Sequence, residues 1–237
     1  MSRAPSNKTP AGFRLKRGQT APEEGDEPLR PSPAHGARAM SGRQRLRITG
    51  GVMRSRQVHF PAAPGLRPTP DRVRETLFNW LGQDLSGWRV LDLFAGSGIL
   101  GMEALSRGAA WLGVVEQSAR VAGEIRRNMT ELAVPPERVR IWRADATVWL
   151  KQADTALGMG LVDLVFLDPP FARLDLLQAV LARLNEVDWL APQARMYIEQ
   201  SAGLPTIELP GWTIVRQGQA GESLFMLWER AAKPSSA

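Results

Sequence analysis

What most constrains this chain is the pattern that begins after Gly87, where short apolar runs alternate with stretches of helical periodicity. The apolar runs lie at Val90–Leu93, Trp111–Val115, Val139–Trp142, Val162–Leu167 and Arg195–Ile198. Between them, helical spacing is read at Ile99–Arg107, Ala119–Leu132, Ala146–Gln152 and Leu174–Asn185. These short, largely apolar runs read as strands. Strands alternating with helices require a parallel sheet with right-handed crossovers. The end of the chain differs: "WTIVRQGQAGESLFMLWER" reads as two strands joined by a Gly-containing turn, an antiparallel hairpin that closes the sheet. The expected fold is therefore α/β, a doubly wound domain of roughly 150 residues.

The segment before it is basic. Residues 1–74 carry 15 Lys+Arg against 5 Asp+Glu, whereas the remainder carries 15 against 19. Residues 1–42 are rich in Pro, Gly, Ser, Ala and Arg without apolar periodicity and are expected to be a disordered basic tail. In residues 43–86, "RLRITGGVMRSRQVHF" reads as a hairpin turning at Gly50-Gly51. Leu46, Ile48, Val52 and Val58 would face a small core, and Arg45, Arg47, Arg54 and Arg56 would face out. A helix follows, with Thr69 as N-cap, Pro70 at its first position, Val73, Leu77, Trp80 and Leu81 at helical spacing, and Gly82 as its stop. The main domain would then span 87–230, with a disordered tail at 231–237. Exposed arginines from Arg43 to Arg74 (Arg43, Arg45, Arg47, Arg54, Arg56, Arg67 and Arg74) form the electrostatic footprint expected of a polyanion-binding surface.

Several functions are excluded. The chain has no cysteine, hence no disulfide, thiolate nucleophile or Cys-ligated metal, and His35 and His59 alone argue against a histidine metal site or triad. No run approaches the roughly 18 apolar residues of a membrane span, and no secretory h-region opens the chain. With 43% hydrophobic residues it can bury a core. The expectation is a soluble cytoplasmic monomer without a metal or a membrane partner.

The first strand of the α/β unit runs into "LDLFAGSGILG". Gly96 and Gly98 allow a sharp turn and close approach to a ligand at a helix N-terminus. Gly96-x-Gly98-x-x-Gly101 also fits the dinucleotide fingerprint, so an NAD-dependent oxidoreductase has to be weighed. The second strand ends at Glu116, which can hydrogen-bond a ribose diol or cap the next helix. Asp92, inside the end of the first strand, suits a cationic amino-acid ligand and would repel a pyrophosphate. Asp145, after the third strand, can accept from an adenine amino group or cap its helix. Acids at three strand ends describe a site for a cationic adenosyl compound, and S-adenosylmethionine fits better than NAD.

The fourth strand ends in "FLDPPF", Phe166 to Phe171. Asp168 lies at the ligand-binding edge, and Pro169 and Pro170 fix the backbone so that carboxylate and carbonyl can take both hydrogens of one amino group. That favours a pyramidal nitrogen able to attack a sulfonium methyl, with Phe171 stacked on the base. "DLFAGSG" with "DPPF" resembles the amino-methyltransferases that act on nucleic-acid bases. The run "RITGGVMRSRQVHFPAAPGLRPTPDRVRETLFNWL" followed by "VLDLFAGSGILGMEALSRGA" closely resembles bacterial 16S ribosomal RNA guanine-N2 methyltransferases, over roughly Leu46 to Arg230.

This resemblance implies a Rossmann-like, class I S-adenosylmethionine-dependent fold with a seven-stranded sheet. It implies methylation of guanine N2 in 16S rRNA, presented in an assembling or assembled small ribosomal subunit. It implies that Asp92, Phe94, Ala95, Gly96 and Gly98 form the cofactor loop, that Glu116 binds ribose, and that Asp145 with Ala146 faces adenine. Thr69, Arg72 and Arg74 match the helix start over the methionine end, and Asp168, Pro169, Pro170 and Phe171 match the catalytic motif. A DNA adenine-N6 methyltransferase shares the chemistry, and a non-catalytic RNA-binding module is the remaining alternative.

Overall fold

The computed structural model describes residues 42–63, 65–158, 160–170 and 173–231; the two tails expected to be disordered lie outside the described residues, apart from Gly42 and Ala231 at their edges. Seven strands form one sheet. β3 (Arg89–Asp92), β4 (Trp111–Val115), β5 (Val139–Trp142), β6 (Val162–Leu167) and β7 (Leu190–Ser201) run parallel, while β8 (Trp212–Ala220) and β9 (Ser223–Arg230) form the antiparallel hairpin. The order β5-β4-β3-β6-β7-β9-β8 reverses between β3 and β6. At such a reversal the crossover helices go to opposite faces, which opens a crevice at the carboxyl ends of those two strands.

Apolar side chains on the two faces of the sheet feed two cores. Val90, Leu164 and Phe166 pack on one face with α1 (Asp71–Leu81), α2 (Ile99–Ser106) and α3 (Ala119–Glu131). Leu91, Val165 and Leu167 pack on the other with α4 (Ala146–Leu150), α5 (Ala153–Leu157) and α6 (Leu174–Glu186). Each such fully buried side chain contributes about 1.5–3 kcal/mol. The helix expected over Ala146–Gln152 ends at Leu150, a second short helix follows it at Ala153–Leu157, and β7 extends well beyond Arg195–Ile198 at both ends.

Ahead of the sheet, β1 (Arg43–Arg47) and β2 (Gln57–Pro61) pair antiparallel, Arg47 opposite Gln57. The turn at Gly50-Gly51 is not a two-residue hairpin but part of the long loop 48–56, and Val52 is 91% exposed rather than in the core. The cause lies in α2. Ser106 donates its hydroxyl to the Gly50 carbonyl (2.6 Å) and accepts from Met53 N (2.9 Å), while its own carbonyl accepts from Val52 N (2.7 Å). A Cβ on Gly51, at φ 75°, would lie 1.9 Å from that carbonyl oxygen, so glycine is required for the approach.

The helix start also differs. Pro70 occupies the N-cap of α1 without a side-chain hydrogen bond, and Thr69 is buried beneath it. Arg74 does not face solvent: it is 0% exposed, bonded to the Thr69 carbonyl (3.1 Å), the Arg47 carbonyl (3.0 Å), Asp71 (2.5 Å) and the buried Glu103. Glu103 also pairs with Arg107 and accepts from Thr49 N (2.8 Å). One carboxylate thus locks the N-terminal loop, α1 and α2 together. Among the described residues no helix is long and apolar enough to cross a membrane, and no group of three or more acidic or imidazole side chains is arranged to hold a metal.

Candidate active site

The crevice at the switch point opens into a cavity of about 540 Å³, within the range of small-molecule sites. The strand ends supply Asp92, Phe94, Ala95, Gly96, Glu116, Asp145, Ala146, Asp168, Pro169 and Pro170 to its wall. The segment entering α1 closes the other side with Leu66, Arg67, Pro68 and Thr69. Residues scattered over a hundred positions of sequence are brought together because parallel strands all end at one edge.

The glycine loop is shaped by positive φ angles, 50° at Gly96 and 73° at Gly98. Gly96 N–H donates to Glu116 (3.0 Å), and Ser118 N–H donates to the other carboxylate oxygen (2.7 Å). Glu116 is therefore a brace between loop and strand; the cap of α3 is Ser118, whose hydroxyl accepts from Val121 N. Gly98 is not part of the cavity wall. It turns the chain into α2, and a Cβ there would come within 3.1 Å of Ile125.

Three carboxyls stand where a cation would be welcome. Asp92 is buried, which pushes its pKa up to about 7 against the pull of hydrogen bonds from the Phe94 and Gly101 amides, with Glu116 adding repulsion. Burial likewise raises Glu116. Asp168 is half-buried and borders the cavity, and its carboxylate has no hydrogen-bond donor among the described residues. Its pKa is held well above the usual range by burial, then by Glu199 and Asp92. Asp145 differs: it caps α4, one oxygen taking Thr147 N (2.8 Å) and Val148 N (3.2 Å), and the Thr147 hydroxyl lowers its pKa first. Its second oxygen stays available at the cavity wall. The cavity thus carries acceptors along its wall at Glu116 and Asp145, and carboxyls at Asp92 and Asp168 that have no ion-pair partner among the described residues.

Not every expected residue is here. Arg72 is exposed and outside the cavity wall, because it points away on the solvent face of α1, and Arg74 is sealed in the Glu103 network. Phe171 lies outside the described residues. Arg67, expected to meet only a polyanion, borders the cavity mouth. Of the other basic positions, Arg43 is committed to Glu124 (2.5 Å) and Arg56 to the Glu131 carbonyl (2.6 Å), and Arg47 lies 3.9 Å from Asp71. Arg45, Arg54, Arg67 and Arg72 are exposed without a side-chain partner among the described residues. Wall residues that escaped sequence reasoning include Leu66, the Gln117-Ser118 pair, and Arg173, Asp175 and Leu176 at the start of α6, since nothing local marks them as facing a ligand.

Comparison with known proteins places the chain in a family. Residues 46–229 match the family model described as conserved hypothetical protein 95. The chain is 40% identical over 83% of its length, and 96% of the relative's, to ribosomal RNA small subunit methyltransferase D of Escherichia coli K12. It is 36% identical to the Haemophilus influenzae protein of the same name, over 78% of this chain and 93% of that one. The solved structure of yhhF from Escherichia coli, described as a candidate methyltransferase, superposes with a TM-score of 0.68 at 38% identity, covering 80% of this chain and all of the other.

Proposed function

We propose that this chain, which belongs to the conserved hypothetical protein 95 family and within it resembles ribosomal RNA small subunit methyltransferase D, methylates the exocyclic N2 of a guanine in 16S rRNA of the small ribosomal subunit. S-adenosylmethionine supplies, when bound, a methyl group carried on a positively charged sulfonium. The chain's own residues do the rest.

Glu116 holds the ribose hydroxyls while bracing the glycine loop, and Asp145 offers its free oxygen to the adenine amino group. Asp92 faces the cationic end, where a positive charge offsets the cost of ionising a buried carboxyl. The same charge returns Asp168 to its ionised form. Asp168 then accepts one hydrogen of the target amine, and a carbonyl of the Asp168–Pro170 segment accepts the other, drawing the nitrogen lone pair out of the ring. As the nitrogen–carbon bond forms and the carbon–sulfur bond breaks, Asp168 takes up the proton that the nitrogen sheds. The base must be unpaired or flipped, since N2 is otherwise engaged in pairing. Arg67 at the cavity wall, and the exposed Arg45, Arg54 and Arg72 away from it, are free to meet phosphates. Phe171 is assigned to stacking on the base, by position in the motif. The chain works as a monomer in the cytoplasm.

The observation that carries this reading is the carboxyl of Asp168, without a hydrogen-bond donor among the described residues, in the same cavity as the Gly96 loop. Asp168→Ala should slow methylation of small-subunit particles by at least about a hundredfold, with S-adenosylmethionine binding by calorimetry nearly unchanged. Transfer at the wild-type rate by that variant would rule the role out. Mass spectrometry of rRNA nucleosides from cells with and without the protein should show loss of N2-methylguanine, and a change confined to N6-methyladenine in DNA would reject the RNA assignment.

A further inference from the structure

Glu199 on β7 is a buried carboxylate, 6% exposed, that the mechanism above does not use. Its oxygens accept from the Tyr197 hydroxyl (2.7 Å), the Ser223 hydroxyl (3.1 Å) and the Thr69 hydroxyl. No arginine or lysine pairs with it among the described residues. Holding an acid there with hydroxyls alone is costly compared with an apolar side chain of similar size, so packing does not account for it.

Its surroundings suggest what does. β6 and β7 pair in parallel with Leu167 opposite Ile198, and one step further along both strands stand Asp168 and Glu199. The two carboxyls also border one small space beside Pro169 and Pro170. Thr69, which Glu199 grips, is part of the wall of the large cavity. Tyr197 is itself wedged between Phe166 and Phe225, at ring separations of 6.2 and 6.5 Å, so the carboxylate has little room to swing.

We propose that Glu199 is a positioning residue for the transfer: it fixes the Thr69 hydroxyl in the cavity wall and presses negative charge on Asp168 from the neighbouring strand. This rests on the reading of Asp168 as the group that grips the amine. Asp168 is faced by Asp92 from β3, by Glu199 and Tyr197 from β7, by Arg173 ahead of α6, and by Arg67 and Thr69 ahead of α1. The acids dominate. A carboxylate beside another negative charge holds a proton more tightly, which makes it a stronger acceptor for the amine hydrogens and for the proton released as the nitrogen–carbon bond forms.

The test is single-turnover methylation of small-subunit particles at saturating S-adenosylmethionine, followed from pH 5 to 9 for wild type, Glu199→Gln and Asp168→Ala. Glu199→Gln keeps the shape but removes the charge. It should slow transfer roughly tenfold at neutral pH and move the acidic limb of the profile down by roughly one pH unit, while S-adenosylmethionine affinity changes by less than about threefold. A limb that stays where wild type has it would overturn the proposal, since a residue needed only for folding lowers stability without moving that limb. Should Glu199→Gln not fold, Thr69→Val should slow transfer severalfold and Thr69→Ser should restore it, and wild-type kinetics in Thr69→Val would overturn the link. An inactive Asp168→Ala with an unmoved Glu199→Gln profile would sink this inference alone; an active Asp168→Ala would sink the parent reading as well.

Discussion

Asp92 shows how one side chain links ligand chemistry to stability. Its folded pKa, about 7, lies above the ordinary carboxylate value, so the folded ligand-free protein binds more protons than the unfolded chain between those two values. Stability of the ligand-free protein from this group should therefore be fully present at low pH and be lost as pH rises through 7. Asp92→Asn should raise ligand-free stability at pH 8 by about 2 kcal/mol, read by denaturant titration. The cationic donor has the opposite preference, because it favours the ionised carboxyl. Calorimetry should find S-adenosylmethionine binding roughly tenfold weaker at pH 6 than at pH 8. An affinity that is flat with pH would remove Asp92 from the contact.

At the scale of elements, the N-terminal loop, α1 and α2 are joined by Glu103 between Arg74 and Arg107. Glu103→Gln leaves two buried guanidiniums without their counter-ion and should cost about 3–5 kcal/mol in thermal or denaturant unfolding. Gly51→Ala, which pushes a Cβ into the Ser106 carbonyl at positive φ, should destabilise by 2 kcal/mol or more in order of magnitude, about the upper range for backbone-strain mutants. Both substitutions lie away from the cavity. Their effect on S-adenosylmethionine affinity should be small while the protein remains folded, and calorimetry below the unfolding transition checks this.

For the molecule as a whole, the unevenness of charge is the governing feature: exposed arginines mark the segment ahead of α1, while Asp92, Glu116, Asp145 and Asp168 line the cavity. Affinity for small-subunit particles should fall steeply with salt, and Arg45→Ala and Arg54→Ala should each reduce the log–log slope by about one, as filter binding across a salt series would show. The basic stretch was legible in the sequence, but which arginines are free was not. Arg74 carries the same charge as Arg72 two positions away, yet a helix rotates them to opposite environments, solvent for one and the Glu103 network for the other. By itself the sequence determined the parallel sheet, the glycine loop, the acids at strand ends and the Asp168 corner, because each depends on periodicity or conformation within a few neighbouring residues. Only the tertiary structure decided that Thr69 serves Glu199 rather than its own helix, that Gly51 exists for Ser106, and that Glu199 stands beside Asp168. Those encounters join residues remote in the chain, and the strand register and interhelical packing that create them leave no local pattern to read.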